Sequence, residues 1–209
     1  MNTANSKLSE AKRTQILAGA RLMFMEHGFA STSVEKIAKA AGVSKGTIYN
    51  YFASKELLFV ALVTGECGCN TSLPQATELL EMPINDVLTQ FGSQWLLGLL
   101  KEDQLQLFRI VLAEVMQFPE LGQMIESTGP AMMLAVLADY LTLLDQTGKL
   151  KIAQPQLAAE QFTALCDAGI IRQMQLSVKN PSQIQIKTQV ASAVQLFLRA
   201  YAVHSEVIN

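Results

Sequence analysis

The sequence predicts an all-α chain: an N-terminal three-helix domain with a helix-turn-helix, then a larger helical domain, about nine helices in all. Three observations lead there. Apolar residues recur at helical spacing along most of the chain. Pro83, Pro119, Pro130, Pro155 and Pro181 lie at or just before predicted helix starts, where proline is tolerated. No alternating strand pattern, glycine-rich phosphate loop, internal repeat or low-complexity tract is present.

The first helix is expected over about Ser9–His27, from the spacing of Ile16, Leu17, Ala20, Met23 and Phe24. Gly28 supplies the left-handed stop, and Phe29 can fold back on Phe24. Thr32 reads as an N-cap, with Glu35 three residues on as its capping-box partner. A second helix then covers Ser33–Ala40, with Val34, Ile37, Ala38 and Ala41 inward. Gly42 makes the turn. Ser44 caps a third helix that buries Val43, Ile48 and Phe52. Ser54 caps a fourth, with Leu57, Leu58, Val60 and Ala61 on its apolar side.

Beyond Gly65, Cys67–Pro74 reads as a loop or frayed end. Longer helices follow at Ile84–Leu100, Asp103–Gln117, Leu121–Ser127, Pro130–Gln146, Ala158–Val178 and Gln185–Val203, with Gly148 suited to a helix stop.

Composition narrows the class. Half of the 209 residues are hydrophobic and mean hydropathy is +0.24. That excess calls for a large core, a subunit interface or a ligand cavity. The apolar run Ala131–Leu144 is short and broken by Asp139, so no membrane span is expected. The first residues lack the apolar run of a signal peptide. Three cysteines do not make a disulfide framework, and a cytoplasmic protein is the natural reading.

Charge is unevenly placed. Residues 1–60 hold eight Lys/Arg against four acids, a net +4, and the remainder holds eight against fourteen, a net −6. A basic head on an acidic body suits a polyanion-binding module, although ordinary surface variation gives the same asymmetry.

The third helix carries the functional signal. With Ile48 and Phe52 inward, Lys45, Gly46, Thr47, Tyr49 and Asn50 fall on the exposed side or its flanks. Glycine inside a helix costs about 1 kcal/mol relative to alanine, so Gly46 implies close backbone approach to a groove. Thr47 can meet a thymine methyl or a phosphate, and Asn50 can bond an adenine edge. Lys45 and Lys55 stand at helix N-termini, where phosphate binds well. Tyr49 and Tyr51 carry hydroxyls able to reach phosphate oxygens. Thr32, Ser33 and Ser44 complete the candidate DNA contacts. Singly, each reads more readily as a solvated polar residue on a small bundle; the Ala38–Gly42–Val43–Ile48 skeleton, the three caps and the basic domain together point to DNA binding.

Gly28-Phe29, Thr32-Ser33-Val34, Ile37-Ala38, Gly42-Val43-Ser44-Lys45-Gly46-Thr47-Ile48-Tyr49, Tyr51-Phe52 and Ser54-Lys55-Glu56-Leu57 together resemble the N-terminal domain of the TetR family of transcriptional regulators. The likeness covers residues 10–65. Phe108-Arg109-Ile110-Val111, Glu114, Phe118-Pro119-Glu120-Leu121 and Gly129-Pro130 are similar to the AefR-like subgroup. The resemblance implies a DNA-binding domain over 9–65 and an effector-binding, dimerising domain over 66–209. It implies a homodimer reading pseudo-palindromic operator DNA, usually as a repressor responsive to a small ligand.

In the body, Phe162, Leu165, Gly169, Val190, Val194, Phe197 and Tyr201 are expected at a four-helix dimer interface; packing within one subunit is the plainer alternative. Phe91, Trp95, Leu99, Phe108, Val111, Met116, Met132, Met133, Leu137 and Met174 are candidate lining for a small apolar or amphipathic effector, again with core packing as the alternative. Glu114 and Asp139 would meet a cationic ligand if they faced it. Cys67-Gly68-Cys69 offers too few ligands for a closed metal site. His27 suits a helix C-terminus, and Cys166 suits the core. No nucleophile–base set appears, so neither an enzyme nor a cofactor is expected. The remaining alternative is a helix-turn-helix protein without an inducer, in an architectural or activator role.

Overall fold

The computed structural model describes residues 3–65, 77–127, 129–176 and 180–203. The predicted loop Cys67–Pro74, its two cysteines and His204 lie outside them. Eleven α-helices appear among the described residues: α1 Thr3–His27, α2 Val34–Ala41, α3 Lys45–Tyr51, α4 Lys55–Gly65, α5 Ile84–Leu99, α6 Glu102–Glu114, α7 Pro119–Glu126, α8 Gly129–Gln146, α9 Pro155–Asp167, α10 Ile170–Gln175 and α11 Gln183–Tyr201. A 3₁₀ turn at Glu78–Glu81 and a single bridge between Leu150 and Ala202 complete the set.

The chain divides into two compact units. The first joins residues up to 67 with 102–128, so α6 and α7 belong with the head rather than with the body expected from residue 66 onward. The physical reason is a shared core: Leu107, Val111, Leu121 and Ile125 are buried with Ile16, Phe24, Phe29, Ile37, Ile48 and Phe59. Four phenylalanines knit it together. Phe24 stacks on Phe29 with centroids 5.8 Å apart, Phe59 meets both, and Phe118 of the α6–α7 connection packs edge-on at 5.1 Å from Phe29. Val111 and the half-buried Phe108, expected to line an effector cavity, are therefore head residues.

Helices α1 and α2 cross closely. A Cβ on Gly19 would lie 2.6 Å from that of Ala41, and the Gln15 amide donates to the Ala41 carbonyl at 2.7 Å. The α1 stop forms as expected. Gly28 has φ +75° and its N–H donates to the Phe24 carbonyl at 2.9 Å.

The second unit holds residues 68–101 and 129–209. Its core gathers Val87, Leu88, Phe91, Leu96, Leu137, Tyr140, Leu141, Phe162, Cys166, Val190, Val194 and Phe197. Helix α5 lies close against α9 and α11, because Gly92 leaves room: a Cβ there would sit 2.8 Å from Cys166 Sγ and 3.1 Å from Val190. Burial pushes the Cys166 thiol up to about 12, which suits its expected role as a small core residue. The single helix expected over Ala158–Val178 is two, α9 and α10. Gly169 at φ +84° turns the chain between them. Ser182 and Gln185 form a full capping box at α11.

The stretch Pro119–Gln146 is by composition alone long and apolar enough to cross a membrane. It is divided between α7 and α8, whose Leu121, Ile125, Leu137, Leu141 and Leu144 are buried in the protein's own cores.

Candidate DNA-binding site

Two caps fix α2 and α3. Ser33, not Thr32, is the α2 cap: its Oγ accepts from the Lys36 N–H at 3.3 Å. Gly42 follows in the left-handed conformation at φ +63°, and its N–H and that of Val43 satisfy carbonyls at the end of α2. Ser44 then caps α3, accepting from the Thr47 N–H at 3.0 Å and sharing a hydrogen bond with the Thr47 hydroxyl at 2.8 Å. Inward, α2 buries Val34, Ile37, Ala38 and Ala41, while α3 buries Ile48. The turn is thus held by backbone bonds and packing, and the outer face of α3 is left clear.

That face presents Lys45, Gly46, Tyr49 and Asn50, all exposed, with Thr47 and Tyr51 half-buried on its flanks. Gly46 has only Ser44 Oγ near its missing Cβ, at 3.8 Å. Nothing among the described residues therefore requires glycine there. The Lys45 ammonium bonds the Glu35 carboxylate across the α2–α3 turn and lies 5.9 Å over the Tyr49 ring. This contact holds the Glu35 carboxyl below, and the Lys45 ammonium above, their ordinary values. Both groups are exposed, so a phosphate can compete for the lysine.

Two expected contacts are placed elsewhere. Thr32 is 2 % exposed, and its hydroxyl donates to the carbonyls of Met23 and Gly28 at 3.1 and 2.7 Å. It latches the α1–α2 loop from inside and is not free to meet DNA. Lys55 is half-buried at the start of α4, and its ammonium donates to the carbonyls of Phe29 and Thr32 at 2.9 and 3.1 Å. It also lies 4.2 Å over the Phe29 ring. It closes the head rather than standing ready for a phosphate. Ser54 does cap α4, accepting from Leu57 at 3.2 Å, but Leu57 itself points outward because α4 buries Leu58, Phe59, Leu62 and Val63 instead. Glu114 accepts from the Ala30 N–H at 3.1 Å, so it serves the head and no cationic ligand. Asp139 is exposed.

In the second unit a narrow cleft, with about 30 Å³ open to the centre of a water molecule, lies between α5 and α8. Leu79, Val87, Gln90, Phe91, Gln94, Val136, Leu137 and Tyr140 line it. Of the expected effector residues, Phe91 and Leu137 are there. Met116 and Met132 are exposed, at 89 % and 67 %, and Met133 is buried in the core. Trp95, Leu99 and Met174 are half-buried and not among the lining. Gln90, Gln94 and Tyr140 were missed by sequence reasoning. The signal was available in Gln90 and Gln94, two amides spaced one turn apart on either side of Phe91.

The expected dimer residues are also redistributed. Phe162, Val190, Val194 and Phe197 are buried within their own subunit, and Gly169 serves the α9–α10 turn. Tyr201 packs on Phe197 with its hydroxyl on Gln161 at 3.0 Å, and Leu165 packs against the same core. The stripes left outward are Leu157, Gln161, Ala164 and Ala168 on α9 and its end, and Thr188, Ser192, Leu196 and Ala200 on α11.

Known proteins match both units. Residues 16–62 match the family model for bacterial regulatory proteins of the tetR family, and residues 86–203 match that for the C-terminal domain of AefR-like transcriptional repressors. The transcriptional repressor AcnR of Corynebacterium diphtheriae is 42 % identical over 79 residues, which cover 38 % of this chain and 41 % of the relative. The chain thus matches about two-fifths of that relative's length. Among solved structures, the flavonoid-responsive regulator FrrA is 30 % identical at a TM-score of 0.78, covering 94 % of this chain and 100 % of that one. A tetR-family regulator from Mesorhizobium loti is 28 % identical at a TM-score of 0.78, covering 93 % and 98 %. With a capped helix-turn-helix at one end and an AefR-like helical domain matched over more than half its length, this chain belongs to the TetR family of bacterial transcriptional regulators.

Proposed function

We propose that the chain is a transcriptional repressor that reads a pseudo-palindromic operator as a homodimer and lets go when a small apolar or amphipathic effector binds its second unit. The observation that carries the DNA reading is the outer face of α3. Gly46, Tyr49 and Asn50 lie clear on a helix whose opposite side is fixed by Ile48 and whose start is fixed by Ser44. Such a helix fits the major groove, with Gly46 admitting the backbone and Asn50 offering a paired donor and acceptor to adenine. Lys45 and Tyr49 reach the flanking phosphates. An operator-reading protein works beside the chromosome, so the cytoplasm is the compartment this reading implies.

Dimerisation is assigned to the outward stripes of α9 and α11. Ala164, Ala168, Ser192 and Ala200 are small enough to let helices approach closely, and Leu157 and Leu196 supply apolar area. Effector response uses chain continuity. The cleft helices α5 and α8 lead directly into α6 and α7, which share the core of the head. A ligand that binds better to one arrangement of these helices shifts the population toward it, typically by about 1–3 kcal/mol of coupling.

Selection of genomic fragments by the full-length protein, followed by footprinting, tests the proposal. Two half-sites should appear about 10–10.5 base pairs apart or a near multiple of that. Asn50→Ala should relax base preference at one position in each half-site. An unstructured footprint, or equal weakening on all sequences by Asn50→Ala, would refute base reading by α3.

A further inference from the structure

Tyr140 is the largest fully buried side chain of the second unit, 1 % exposed, and its hydroxyl has no hydrogen-bond partner among the described residues. A buried polar group left unpaired is destabilising, and such groups are rare in folded proteins. This residue also lines the cleft between α5 and α8. The rest of the lining is apolar, apart from Gln90 and Gln94, an exposed and a half-buried amide one helical turn apart. No charged side chain is among the described lining residues. Burial pushes the Tyr140 phenol up to about 12, so it stays protonated and remains a donor throughout the working pH range.

We infer that the cleft takes an uncharged, largely apolar small molecule carrying an acceptor oxygen, a ketone, ester or lactone, with that oxygen on the Tyr140 hydroxyl. The inference rests on the reading of the second unit as effector-binding, and it specifies the chemistry of that effector. The hydroxyl has no exposed area, so the narrow cleft must open for an acceptor oxygen to reach it, and the hydrogen bond then formed satisfies the orphaned donor. Phe91, Val87 and Leu137 pack on the apolar body. Gln90 and Gln94 each offer a donor and an acceptor, which suits a hydroxyl or carbonyl at the ligand's outer end. A carboxylate or ammonium would lose its hydration and find no counter-charge in the lining, so charged ligands are selected against.

Calorimetric titration of the DNA-free full-length protein with matched pairs tests this. The probes are acetophenone and benzophenone, their hydrocarbon counterparts ethylbenzene and diphenylmethane, and the charged 4-benzoylbenzoate. At least one ketone should bind about tenfold more tightly than its hydrocarbon, and 4-benzoylbenzoate at least about tenfold more weakly than benzophenone. In Tyr140→Phe the ketone advantage should vanish while hydrocarbon affinity stays. That variant should melt no lower than the parent, because the lost hydroxyl is unpaired; a marked drop would show a structural partner for it and overturn the inference. No ketone preference, or one that survives Tyr140→Phe, overturns it as well. Operator affinity is measured separately. A ketone that binds through Tyr140 and leaves operator affinity unchanged upholds the cleft and removes only ligand-driven release.

Discussion

The ammonium of Lys55 closes on Phe29 twice, donating to its carbonyl at 2.9 Å and lying 4.2 Å over its ring. A third contact, to the Thr32 carbonyl, makes this lysine the clamp that ties the start of α4 to the α1–α2 loop. Lys55→Ala should therefore lower stability by about 1–3 kcal/mol, read by chemical denaturation. The slope of log affinity against log salt should stay within about half a unit of the parent, since the charge is engaged inside the head. A full unit's loss of slope with unchanged stability would return Lys55 to the phosphate contacts.

Thr32 is the second inside residue that sequence reasoning put on the DNA face. Thr32→Val keeps the shape and removes the hydroxyl bond shared between the carbonyls of Met23 and Gly28. The expected cost is about 1–2 kcal/mol of stability. Thr32→Ser should recover most of it. Base preference in a binding selection should be the same for all three proteins.

Gly46 should separate stability from function. A methyl there meets nothing closer than Ser44 Oγ at 3.8 Å, so Gly46→Ala should stabilise the free protein by up to about 1 kcal/mol. The same methyl stands on the face offered to the groove, and operator affinity should fall. Gel-shift titration beside thermal melting checks both signs. A stabilised variant whose operator affinity is undiminished would show that close backbone approach does not need Gly46.

Asp167 gives a pH test. Burial holds its carboxyl above the ordinary range, at the last position of α9, where the helix end is itself negative. For an acid raised in the folded state, the unfolded chain ionises first as pH rises. Stability is then lost between the unfolded and folded pKa and stays lost at neutral pH. Asp167→Asn should raise the melting temperature at pH 7, and the gain should shrink as pH falls toward 4. Equal melting at pH 7 would show that the carboxylate has found a compensating partner.

Much of the head was legible because its signals are local. Gly28, Gly42, Ser44 and Ser54 act within four residues of themselves, and each does what its position predicts. Thr32 and Ser33 were indistinguishable by that logic, since both are good caps in adjacent places. Only the carbonyls of Met23 and Gly28, reached through the fold, decide which hydroxyl turns inward. The body fared worse for the same reason. Periodicity marks an apolar stripe as buried without saying against what, so Val190, Val194 and Phe197 were assigned to a partner subunit when their own subunit covers them. Tyr140 stayed hidden because its hydroxyl becomes informative only when seen to lack a partner.

Leu107, Val111, Leu121 and Ile125 complete the core of the head from a stretch that begins some distance along the chain from α4. The natural unit of transplantation is then discontinuous. A chimera cut after α4 would carry the reading helix on a domain whose α1 and α4 have lost the apolar cover of α6 and α7, and would be prone to stick to itself. A graft that takes 102–128 along with 3–65 keeps that cover in place. Recombination between such regulators is accordingly constrained at two joints on either side of α6 and α7, not at the one a linear reading suggests.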